Sequence, residues 1–413
     1  MEVGGIESIL QLAQALESET IGCALGHVGE GEIDSFLLPT YLESENSKLS
    51  LFIFRYILSR LETNGWSWVD ELDKSEWNSR QVSQFLSYLP FTSETWNRVT
   101  EWLGDEQGEY WRKTNTNYRS DSNSNHAIEK LIEYGRPLAA IGYLGMMRYQ
   151  KQSINVDTCV KALLVAVTSS EPSYLVNNSY HNIVELIKML QKNPVIERED
   201  LFRVEWAYLS WLDGRHGANP KEIENRLASS PEFFCELIRL IYRSKKFEVT
   251  NDNQSEQTKT IATNAWQLLQ QWHTTPGMQA NGSLDDAHFS NWLQHVKEIC
   301  EESGHLEVAL IQIGGVLIHC PPDTSGLWID HTVAKALNAK DSEKMRRGFE
   351  TGIYNSRGVY SVDPTGKPER KLAEQYRQKA EAVENAGYHR FAETLRSISD
   401  QYIRDGESHR DWI

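Results

Sequence analysis

The fold class this sequence predicts is all-α: helical hairpins laid side by side, with few or no strands. Three observations predict it. Apolar residues recur three and four apart through most of the chain, the spacing of one helical face. A glycine followed five residues later by an alanine recurs at Gly135 and Ala140, Gly304 and Ala309, and Gly387 and Ala392. Strand-like alternation is rare, and 308–318 (VALIQIGGVLI) is the only ambiguous run.

The stretch 126–149 shows the unit best. Ala127, Ile128, Leu131 and Ile132 share a helical face, Gly135 breaks it, and Ala140, Ile141, Leu144 and Met147 begin a second stripe. Glycine suits the left-handed position that ends a helix, and Pro137 suits the first turn of the next. Arg136, His305 and Tyr388 follow the three glycines, so each hairpin reverses in the same way. Stacked hairpins of this sort form an α-solenoid of diverged TPR-like or HEAT-like repeats.

Taken in order, 1–16 reads as an amphipathic helix through Ile6, Ile9, Leu10, Ala13 and Leu16. A strongly apolar helix over 50–61 ends at Asn64-Gly65, and Pro90 stops another over 81–89. Thr92 or Ser93 caps the next, completing an N-terminal set of helical repeats over 1–107. Periodicity fails over 108–125, where Asn, Ser and Thr dominate, so a loop is expected there. A central set over 126–244 includes helices over 159–167 and 180–190, and one opened by Ser230-Pro231-Glu232. The polar stretch 245–259 is the expected break. A C-terminal set over 260–413 opens with a helix over 261–272, and Ser283 with Asp286 forms a capping box for the next. A second irregular loop is expected over 346–370, before a last hairpin over 371–404.

Composition narrows the function. With 40% hydrophobic and 24% charged residues among 413, the chain is an ordinary globular one. A net charge of −16 disfavours non-specific nucleic-acid binding, which needs a basic face. The five cysteines are scattered, odd in number and without a CxxC pair, as expected of reduced thiols in a cytoplasmic protein. No apolar run approaches the roughly 20 residues of a membrane span, and the N-terminus lacks a basic leader. Most of the 13 tryptophans are expected to fill core.

Catalytic signatures are missing. There is no phosphate loop, dinucleotide fingerprint, HExxH pair or GxSxG elbow, so neither cofactor nor enzymatic activity is expected. His288 and His295 could share a helical face, but no third ligand accompanies them, so no metal is expected. Two stretches remain as candidate binding sites. The first holds Tyr110, Trp111, Arg112, Tyr118 and Arg119, an aromatic and basic group that could equally plug the adjoining helices. The second holds Arg346, Arg347, Tyr354, Asn355 and Arg357, where Gly352, Gly358 and Gly366 allow close approach and Arg357 could grip a carboxylate or phosphate.

Three blocks, LPFTSETWNRV, EYGRPLAA and GFETGIYNSRGVYS with the following ERKLAEQYR, carry a resemblance. Together they resemble the C-terminal helical-repeat regions of large bacterial proteins of the anti-phage defence type. The likeness spans most of the chain, and none of its motifs is catalytic. It implies a sensor or scaffold arm that binds another macromolecule, with an effector domain upstream or on a partner subunit. The leading expectation is therefore a non-enzymatic scaffold for a protein or peptide partner. The alternatives are an (α/α) toroid enzyme acting on carbohydrate, and a nucleic-acid scaffold using Arg112, Lys113 and Arg119 with Tyr110 and Trp111 stacking on bases.

Overall fold

Helix accounts for 74% of the chain, and no strand occurs among the described residues, so the all-α expectation holds. The computed structural model describes residues 3–15, 17–116, 121, 124–171, 173–212, 214, 218–246, 256–279, 281–358 and 363–408. The helices divide into two units, Met1–Ala207 and Tyr208–Ile413.

The first unit holds α1 (Val3–Ala15), α2 (Ser18–Val28), α3 (Gly31–Tyr41), α4 (Ser47–Glu71), α5 (Ser79–Tyr88), α6 (Ser93–Leu103), α7 (Gly108–Lys113), α8 (Ser124–Glu133), α9 (Pro137–Tyr149), α10 (Val156–Val167), α11 (Ser173–Leu190) and α12 (Arg198–Ala207). Asp34 of α3 is buried yet meets four donors. Arg60 gives Nε and Nη2 to its two oxygens at 3.1 and 2.7 Å. The Tyr56 hydroxyl donates at 2.5 Å and Trp68 Nε1 at 2.9 Å. A buried carboxylate is tolerable only when so paired. The network has a structural consequence. Helix α4 breaks at Gly65 (φ 69°), as Asn64-Gly65 predicts, and Asp34 holds residues from both sides of that break.

The expected loop over 108–125 begins instead with α7. Its six residues are too few to be helical on propensity alone, and packing sustains them. Trp111 and Tyr110 are fully buried, with their ring centroids 5.0 Å apart, and Phe91 lies 6.1 Å from Trp111 and 5.6 Å from Tyr143. The Asn- and Ser-rich composition begins only at Thr114, which is why the window as a whole reads as a loop.

The second unit holds α13 (Lys221–Ser229), α14 (Pro231–Ile241), α15 (Glu256–Gln271), α16 (Asp286–Ser303), α17 (Leu306–Val316), α18 (His331–Asn338), α19 (Glu343–Ser356), α20 (Lys367–Asn385) and α21 (His389–Ser408). The ambiguous apolar run is the helix α17, continued by a 3-10 turn over Leu317–His319. Ser230 caps α14 as predicted. The cap of α16 is Asp285, accepting from the His288 amide at 2.9 Å, in place of the expected Ser283.

All three predicted reversals share one turn. Gly135, Gly304 and Gly387 have φ of 80°, 75° and 88°. In each, the glycine amide and the next amide donate back to carbonyls of the ending helix. The second of these bonds runs from Arg136 to Leu131, His305 to Cys300 and Tyr388 to Val383, at 2.8 to 2.9 Å. This paired pattern satisfies carbonyls a helix end otherwise leaves open. Ala140, Ala309 and Ala392 are all fully buried. The local hairpin is therefore common to the three sites.

The irregular stretch expected over 346–370 is corrected most. Helix α19 runs to Ser356, and α20 starts at Lys367. Gly348 and Gly352 sit inside α19, where they look like helix breakers in the sequence. They are there because α19 crosses α17 at backbone contact. A methyl group on Gly348 would collide with the Ile311 carbonyl oxygen, and one on Gly314 with that of Met345. The tertiary gain outweighs the roughly 1 kcal/mol each mid-helix glycine costs.

A candidate ligand cleft between three helices

The α17–α19 crossing creates the floor and one wall of a cleft in the second unit. On α19, Gly348, Thr351, Gly352 and Asn355 line it, spaced as one helical face. Ile311, Gln312 and Gly315 of α17 form the floor, and Leu269 and Gln270 of α15 the opposite wall. His273 and His319 stand at one end. The cavity measures about 340 Å³, and none of the described residues lining it is Asp, Glu, Lys or Arg.

Its carboxamide and hydroxyl groups are neutral and amphoteric. Gln312 is oriented by giving its Nε2 to the Tyr242 hydroxyl at 2.7 Å. Asn355, Ser356, Gln270 and Thr351 are exposed at the rim. A carboxamide both donates and accepts, so it pairs with another amide in either direction. The two imidazoles meet edge to face, with centroids 4.4 Å apart. His319 keeps an exposed edge, and burial of the rest of its ring takes away part of its hydration. That loss of hydration, with His273 beside it, lowers its pKa to about 4. His319 is therefore neutral near pH 7.

The sequence-predicted residues fare unevenly. Of the second stretch, Asn355 lines the cleft. Arg346 does not reach it, because its Nη1 caps the end of α18 through the Leu337 and Ala339 carbonyls at 2.7 and 2.8 Å. Arg357 is held by the buried Glu369 at 2.5 Å, so its guanidinium serves an internal ion pair and not an external anion. Tyr354 packs on Tyr402, centroids 5.3 Å apart, and Arg347 is exposed outside the cleft. Of the first stretch, Tyr110 and Trp111 are core, which removes them as a binding or stacking surface. Arg112 is exposed beside Tyr134, its guanidinium carbon 5.9 Å from that ring. Tyr118 and Arg119 lie outside the described residues.

No family model, curated protein or solved structure matches this chain. The geometry alone therefore carries the functional reading.

Sequence reasoning missed Gln270, Gln312, His273 and His319. The usable signal was the pairing of Gly314-Gly315 with the Gly348 and Gly352 spacing, since small residues one turn apart let helices touch and leave hollows beside the contact. One acid and histidine cluster occurs among the described residues, Asp286, Asp330 and His331. It is built into helix starts. Asp330 accepts from the Thr332 amide at 2.7 Å, and Asp323 holds His331 Nδ1 at 2.9 Å, which raises the His331 pKa. His288, weighed as a ligand from the sequence, meets the Ala228 carbonyl at 3.3 Å.

Proposed function

We propose that this chain is a non-enzymatic helical binding module whose cleft holds an extended, uncharged stretch of a protein or peptide partner. The observation that carries the reading is the lining: carboxamides on three helices beside glycines, with no Asp, Glu, Lys or Arg among the described lining residues. A peptide backbone is a row of neutral donors and acceptors, and carboxamides match it without the desolvation cost of a charge. The glycine floor brings a ligand within reach of main-chain atoms. The same lining speaks against phosphate recognition, which draws on Arg or Lys, and against glycoside cleavage here, which needs two carboxylates. The resemblance to helical arms of bacterial defence proteins is in keeping with such a module, and would place the effector function on another domain or subunit.

The test is to pan a display library of random peptides on the immobilised chain, with the Gln270→Ala/Asn355→Ala variant as comparison. Both side chains are exposed, so the variant keeps its fold. Enriched peptides should be uncharged at their centre and bind the variant about tenfold or more weakly, the effect of one or two lost hydrogen bonds. Peptides that bind both proteins equally, or none enriched at all, would reject the cleft as the site.

A further inference from the structure

Two thiols in the second unit are placed for a reaction the binding reading does not use. Cys235 on α14 and Cys300 on α16 stand 65 residues apart in sequence, with their sulfurs 3.3 Å apart. Both are fully buried. The helices that carry them are held in register by aromatic packing, with Phe234 5.3 Å from Trp292 and 5.5 Å from Trp272. A disulfide forms at about 2.05 Å between sulfurs, so a small side-chain adjustment closes the gap. We propose that Cys235 and Cys300 are a modification site, oxidised to an intramolecular disulfide by a peroxide.

The chemistry balances. One thiolate attacks a peroxide oxygen, cleaving the O–O bond, to give a sulfenic acid and one water. The second thiol attacks that sulfur and releases a second water, so two thiols are oxidised by two electrons and hydrogen peroxide is reduced to two waters. The nearby positive charge of Arg239 favours the thiolate form of either sulfur. Either thiol can react first, and the other, 3.3 Å away, resolves it. Burial means that the peroxide enters during local opening of the unit. The position has a consequence for the cleft. Cys300 also supplies the carbonyl that ties down the Gly304 turn, and α17, the cleft floor, begins two residues after that glycine. A bond to α14 anchors the base of the hairpin on which the floor is built.

The test uses the full chain, reduced, freed of reductant and exposed to dilute hydrogen peroxide under native conditions. It is then quenched in acid, unfolded and alkylated, and its mass is measured. The expected result is a drop from five alkylated cysteines to three, with a Cys235–Cys300 linked peptide in monomeric protein. The thermal midpoint should rise by about 10 °C, as expected for closing a loop of this length in a unit of this size. Cys235→Ala and Cys300→Ala should each form no intramolecular link under the same treatment. The wild-type linkage map stands even if a variant fails to fold. Five alkylated cysteines after treatment, linkage through any other pair, or a linked chain with an unraised midpoint would overturn the proposal.

Discussion

The stretches 108–113 and 346–357 look alike in sequence. Both mix aromatics, arginines and glycines, and both read as loops that could bind something. Both are helical, and they use their residues in opposite ways. In the first, Trp111 and Tyr110 are wholly internal, so the aromatic character is a matter of stability. In the second, the arginines Arg346 and Arg357 are spent on internal caps and pairs, while the glycines shape a cleft and Asn355 faces it. The lesson is that residue type alone does not separate core from site. What stands opposite each side chain does.

The comparison can be broken, beginning with its largest expected effect. Trp111→Ala should lower unfolding free energy by about 3–5 kcal/mol, the range for deleting a buried tryptophan. Chemical denaturation measures it, and a loss below about 1 kcal/mol would return Trp111 to the surface as a candidate contact. Gly348→Ala comes next, at about 3 kcal/mol, the upper end of overpacking, because the colliding atom is the Ile311 backbone and cannot turn aside. Gly142→Ala should have the opposite sign. Nothing lies within 4 Å of the added methyl in α9, so removing backbone freedom should stabilise by about 0.5–1 kcal/mol. Equal effects at the two glycines would mean that α17 and α19 do not touch as described.

Smaller effects sharpen the contrast. Arg112→Ala and Asn355→Ala should each stay within about 0.5 kcal/mol of the parent in stability, since both side chains are exposed. Only the second should weaken peptide capture, and parallel loss in both would erase the distinction between the stretches. The smallest is a pH effect. A histidine whose folded pKa is depressed stabilises above its ordinary value of 6.5, and that contribution is lost as pH falls through about 4. The thermal midpoint of the parent should therefore fall more steeply over this window than that of His319→Gln. Superimposable profiles would show that the mouth of the cleft leaves His319 unperturbed.

What was legible in the sequence was local. The glycine turns at Gly135, Gly304 and Gly387, the break at Gly65 and the cap at Ser230 are each decided by a few neighbouring residues, and each is found as read. The illegible part was tertiary. Nothing adjacent to Gly348 says that Ile311 lies against it, so a residue chosen for closeness is indistinguishable from one chosen for bending. Cleft residues on α15, α17 and α19 are far apart in sequence for the same reason. Arg357 invites an anion on paper, and only the fold shows that Glu369 already answers it.

The contact of α17 with α19 bears on how the cleft could adjust to an occupant. Two helices joined main chain to main chain have no flexible side-chain layer between them to absorb sliding. They move as a single girder, carrying Gln312 and Asn355 together at constant spacing. Breathing of the cleft then falls to α15, which would swing Gln270 toward or away from that girder as a jaw closes on an anvil.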